Sequence, residues 1–223
     1  MLEVIGTMLP LALGIAISPI PIIAAILMLL SPRARGTSVG FLFGWLLGIT
    51  VAVTVFTLLS GLITTADPDA SKPIAGTVLL LLGLLLLFLA VRQWRSRPKP
   101  GQAEKLPHWM DAIDSMTAGR GFVLAFILAA VNPKNLLLAA AAGVAIGTAA
   151  LSVGATILSI VIFVVVAAIS VAVPVIGYLL AADRMRAPLD ALRTWLVHNN
   201  AVVMAVVLLV IGVVVVGKGI ASF

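Results

Sequence analysis

The chain has no cysteine, which excludes disulfides, thiolate metal sites and cysteine nucleophiles. Charge is scarce as well. Only 10% of the 223 residues are charged and 62% are hydrophobic, whereas a soluble domain is roughly a quarter charged and about half apolar. The few acids avoid the apolar runs: Glu3, Asp67, Asp69, Glu104, Asp111, Asp114, Asp183 and Asp190 all fall between runs or at their ends. A cation site or carboxylate proton relay within a membrane needs an acid inside a span, so metal-ion transport and carboxylate-based proton coupling are disfavoured. Any proton coupling would then rest on Lys134. The two histidines, His108 and His198, lie away from the middles of the runs, and neither metal-ligand spacing nor a nucleophile–base arrangement is visible. No metal, cofactor or enzyme activity is therefore expected.

Long apolar runs are what the chain does have, at a mean hydropathy of +1.26. A helical span needs about 20 such residues. Six runs qualify, approximately Val4–Leu30, Gly36–Ile63, Ile74–Val91, Gly121–Ile146, Ala149–Ala182 and Ala201–Ile220. The fold class expected is all-α, a polytopic membrane protein of six transmembrane helices. The first run lacks a basic leader and continues to Leu30, so it reads as a retained span rather than a cleaved signal. The fifth contains Pro174 and should tilt, kink or leave the membrane near Gly177.

Loop charges set an orientation. The first–second loop holds Arg33 and Arg35. The third–fourth holds Arg92, Arg95, Arg97, Lys99, Lys105 and Arg120, and the fifth–sixth holds Arg184, Arg186 and Arg193. The intervening loops hold only Lys72 and no basic residue, respectively. The positive-inside rule places the basic loops in the cytoplasm of a plasma membrane and both termini outside. It also accounts for the net charge of +6 without a nucleic-acid partner.

Two runs carry prolines near their middles, in Ser18-Pro19-Ile20-Pro21 and in Asn132-Pro133-Lys134-Asn135. Proline removes a backbone donor and clashes with the preceding turn, so the first and fourth spans should be broken. Broken helices in corresponding positions of two halves point to a transporter's binding site. Sliding the sequence by 114 positions pairs Ala16, Pro19 and Ala25 with Ala130, Pro133 and Ala139, and Ser38-Val39-Gly40 with Ser152-Val153-Gly154. Three spans per half imply an inverted repeat: residues 1–95 and 119–223 as the two halves, joined by a basic cytoplasmic loop over 96–118.

At the second break, Asn132 is placed to cap a new half-helix with Pro133 in its first turn. Lys134 adds a charge too deep for easy snorkelling, and Asn135 adds an amide. A helix start, a lysine and two amides make a plausible cradle for an anionic group. Ser18, Pro19 and Pro21 supply the opposing break, with Ser18 as a cap. The candidate substrate-binding residues are therefore Ser18, Pro19, Pro21, Asn132, Pro133, Lys134 and Asn135. A kink stabilised by satisfied amides is the structural alternative.

Two further features concern packing and partners. Gly40, Gly44 and Gly48, like Gly143 and Gly147, form small-residue stripes suited to close helix approach, within the chain or in a homodimer. Leu106, Trp109, Met110, Ile113 and Met116 recur at helical spacing and suggest a short interfacial helix. The basic cluster before it could attract anionic lipid.

Taken with the segment Trp109 to Ser115, Trp195-Leu196 and His198-Asn199, the Ser-Pro-Ile-Pro and Asn-Pro-Lys-Asn-Leu elements resemble the GAP family. That family includes the glycopeptidolipid- and sulfolipid-addressing proteins of mycobacteria and is placed in the lysine-exporter superfamily. The resemblance implies an actinobacterial inner-membrane protein that helps export a cell-envelope lipid or amphiphile. Two other readings stand beside a lipid carrier. One is export of a small soluble solute such as an amino acid; the other is a non-transporting partner of a larger lipid exporter.

Overall fold

The computed structural model describes residues 1–66, 68–97, 113 and 115–222, apart from the side chains of 62–66 and 68–73. Every regular element among the described residues is a helix. They are α1 (Leu2–Ala16), α2 (Pro19–Leu30), α3 (Ala34–Ala66), α4 (Pro68–Arg95), α5 (Ala118–Ala130), α6 (Pro133–Gly147) and α7 (Val153–Ile220). The segment proposed as an interfacial helix lies almost wholly outside the described residues. Its end returns to the bundle, where Ile113 is buried and Met116 packs on the core.

Both proline-bearing runs are broken where expected. α1 and α2 meet at 50° and α5 and α6 at 61°. Pro19 and Pro133 each open the second half-helix, where a missing N–H removes no intrahelical bond. The ends of α1 and α5, and the starts of α2 and α6, stand 114 residues apart. The Ser-Val-Gly match does not extend this to a shared role. Ser38 lies inside α3, bonded back to the Arg35 carbonyl, whereas Ser152 caps α7 by accepting from the Ala155 N–H.

By length and composition, three helices can cross a membrane, or five if each bent pair counts as one span. The longest, α7, departs from helical geometry at Ala181 (φ −149°, ψ 58°). The chain turns back there: Met185 lies against Gly177, within 3.2 Å of where a Cβ would stand. The break expected near Gly177 thus falls four residues later, at Ala181, and α7 stays helical through Pro174, whose ring is buried. A proline inside a membrane helix costs one hydrogen bond and does not force a reversal. The stretch after Ala181, expected to be a loop, is also helical. Its charges mask an amphipathic pattern in which Leu189 and Leu196 are buried and Met185 and Val197 pack on the core.

Packing exchanges partners between the broken and continuous helices. α3 lies along α5 and α6, α7 lies along α1 and α2, and α4 pairs with α7. The glycines of α3 make the first contact possible. A Cβ on Gly40 or Gly44 would collide with the Ala118 or Phe122 carbonyl, and one on Gly48 would stand 2.6 Å from the Ala129 Cβ. Gly143 and Gly147 bring α6 equally close to Phe56, Thr57 and Ser60 of α3. The stripes thus serve internal packing, which leaves a homodimer without their support. Met8, Leu11, Ile23, Ile26, Phe41 and Trp45 fill the centre, with Phe41 and Trp45 stacked at 6.5 Å. The outer surface is apolar too, with Phe88 61% and Val165 58% exposed. Such a belt suits lipid, and with the apolar helices it marks a multi-pass membrane protein.

Candidate functional site

The two breaks meet inside the bundle. At the second, Asn132 is extended (φ −60°, ψ 122°) and its Oδ1 accepts from the Lys134 N–H at 3.0 Å. This is the expected cap, and it leaves the Lys134 and Asn135 side chains on the first turn of α6. Both are enclosed, at 3% and 1% exposure.

Lys134 reaches across to the first break. Its Nζ donates to Ser18 Oγ at 2.7 Å and to the Ile17 carbonyl at 3.4 Å, with Met204 Sδ at 3.8 Å. Ile17 caps the C-terminal end of α1, where orphaned carbonyls and the negative end of the helix dipole favour a cation. Ser18 was expected to cap α2, but it makes no such bond. Its hydroxyl instead accepts from Lys134 and donates to Asn135 Oδ1 at 3.3 Å. A lysine offering a charge-assisted bond outcompetes the neutral N–H of a helix turn for that oxygen.

Asn135 completes the network. Its Nδ2 donates to the Leu128 carbonyl at 3.0 Å. In an unbroken helix the N–H of residue 132 would take that carbonyl, but Asn132 is extended, so the amide replaces the lost bond. Of the other candidates, Pro19 and Pro21 are buried on the first turn of α2, and Pro133 opens α6. The prolines shape the breaks without adding polar contacts. The network therefore draws Ser18, Lys134 and Asn135 together, with Asn132 behind them.

Three contributors were not foreseen: the Ile17 and Leu128 carbonyls and Met204. The carbonyls had a signal in the prolines that follow them, since each break must orphan acceptors upstream. Met204 had none, because only the return of α7 brings it near. Among the described residues the one ion pair is Arg193–Asp190 at 3.2 Å, so Lys134 has only neutral partners there. No group of histidine, cysteine or acid side chains able to hold a metal occurs among them either.

A family model described as Sap, sulfolipid-1-addressing protein matches residues 8–221. The chain belongs to that family. The match spans both breaks and agrees with the GAP resemblance. Neither a curated protein nor a solved structure matches this Sap family member. The family description points to involvement in lipid export. In this member, the network around Lys134 is the most enclosed polar assembly that the two broken helices form.

Proposed function

We propose that the protein is a carrier that exports a cell-envelope lipid or amphiphile with a polar or anionic headgroup across the plasma membrane. One observation carries this reading: two broken helices meet at a buried lysine that has only neutral partners among the described residues. A charge enclosed in this way is costly. It remains available to a ligand that brings the missing negative charge. The headgroup would take the place of Ser18 Oγ and the Ile17 carbonyl on Lys134, releasing the first break from the second. No covalent step is involved.

The carrier reading includes a six-span inverted repeat of the lysine-exporter type, with residues 1–95 and 119–223 as its halves and 96–118 as the cytoplasmic connection. A 68-residue α7 would measure about 100 Å if straight, over three times the roughly 30 Å of hydrocarbon. The reversal at Ala181 supports two spans within it. Segments after the first, third and fifth spans line one cavity, including Arg33, Thr117 and Arg186, as the basic loops should if all are cytoplasmic. An apolar groove of about 460 Å³ between α4 and α7, beside Trp94 and Leu209, offers a place for an acyl chain.

The test is translocation of a short-chain fluorescent phosphatidylglycerol by purified protein in vesicles. Lys134→Ala should slow translocation at least tenfold and Asn132→Ala severalfold. Wild-type rates in both variants would overturn the site, and absence of translocation by the wild-type protein would favour an accessory role.

A further inference from the structure

A second polar feature lies at the end of the bundle away from the breaks. The α2–α3 connection, the start of α5 and the turn of α7 border an open cavity of about 660 Å³. Arg33, Arg35 and Arg186 line it, and no acid does. None of the three arginines has an acid within ion-pair reach among the described residues.

Tyr178 makes this more than an orienting cluster of charge. It lines the same cavity, is only 6% exposed, and its hydroxyl has no hydrogen-bond partner among the described residues. The oxygen itself is not occluded, so the otherwise buried side chain presents a free O–H to the cavity. The wall also includes the start of α5 at Ala118, whose first backbone N–H groups lack intrahelical acceptors; at the start of α3 the Ala34 N–H already donates to the Ser31 carbonyl. The hydroxyls nearby are already engaged: Thr117 Oγ1 accepts from the Arg120 N–H, and Thr37 Oγ1 donates to the Arg33 carbonyl. What remains free is almost entirely donor: three guanidinium groups, a phenol and the start of α5. Arginine's planar fork matches a tetrahedral oxyanion, and the volume leaves room for a glycerol or sugar beside it.

The geometry points to a binding site in this cavity for the phosphate or sulfate ester of a membrane amphiphile's headgroup, held there before it reaches the breaks. The inference deepens the carrier reading and rests on it for the direction of travel.

The protein is placed in neutral phosphatidylcholine nanodiscs and titrated calorimetrically with dihexanoyl-phosphatidylglycerol and, separately, with sodium sulfate. The lipid should bind saturably, and sulfate should compete only at much higher concentration. Arg186→Gln and Arg33→Gln should each weaken lipid binding roughly fivefold or more, and Tyr178→Phe about tenfold, as expected when a hydrogen bond to a charged group is lost. Arg193→Gln, on the same helix but paired with Asp190 outside the cavity, should leave binding unchanged. Equal effects of Arg193→Gln and Arg186→Gln, or no effect of Tyr178→Phe, would overturn the site. Sulfate binding as tightly as the lipid would overturn the amphiphile as its ligand. Because this is an equilibrium measurement, it separates from the carrier reading. Lys134→Ala should retain cavity binding while losing translocation, whereas translocation that survives loss of cavity binding would sink only the present inference.

Discussion

Lys134 directs its amine at a hydroxyl, a carbonyl and a thioether, an arrangement poor for holding a buried charge and suited to exchange. Replacing a buried ionic group by an apolar one of similar volume is commonly neutral or stabilising, by about 1–4 kcal/mol. Lys134→Met should therefore match or exceed the wild-type melting temperature in detergent while abolishing translocation. A large fall in melting temperature would make the lysine structural instead. Asn132→Ala removes a cap worth about 1 kcal/mol and should lower the melting temperature modestly. At this scale the sequence showed the charge, the amides and the cap, because proline, lysine and asparagine have strong local rules. It did not show that Ser18 would leave its own helix for Lys134. That choice depends on which helix lies opposite, a tertiary fact with no local trace.

The continuous helices hold the broken ones in place, and α3 does so through glycine. With the Phe122 carbonyl directly over Gly44, Gly44→Leu should force α3 off α5 and cost several kcal/mol, in the range of severe overpacking. Gly154→Ala, with nothing within 4 Å, should be near neutral or slightly stabilising, since alanine is the better helix former. Melting temperatures of the two variants check this contrast. The pair is informative because Gly154 is the shift-related partner of Gly40. Sequence identity between halves reported the common breaks but not common packing. The breaks were legible because proline acts through its own backbone. The helix after Ala181 was not, because its charges outweighed Met185, Leu189 and Leu196 in a reading by apolar run length.

For the whole molecule, the absence of cysteine becomes an experimental convenience. Gly119, Gly154 and Gly217 are exposed and have open space beside them. In intact cells a membrane-impermeant thiol reagent should label Gly154→Cys and Gly217→Cys. Gly119→Cys should react only after permeabilisation. The opposite pattern would invert the proposed orientation, and equal labelling of all three would sink the six-span path. The expected orientation rests on a count of loop charges rather than on contacts, and this labelling is what tests it. The exchange of partners between broken and continuous helices was invisible in it, because apolar faces of similar composition do not encode which neighbour they meet.

Asn135 bridges the breaks with one amide, accepting from Ser18 of the first and donating to Leu128 of the second, beside the enclosed amine of Lys134. In an energised bilayer a proton carried on that amine would lie where the electric field acts. Moving a unit charge through the full field is worth about 2.3 kcal/mol per 100 mV, so a displacement of Lys134 through even half of it would shift the balance between conformations by about 1 kcal/mol. Membrane voltage would then bias which conformation the protein adopts, even with no coupling ion bound.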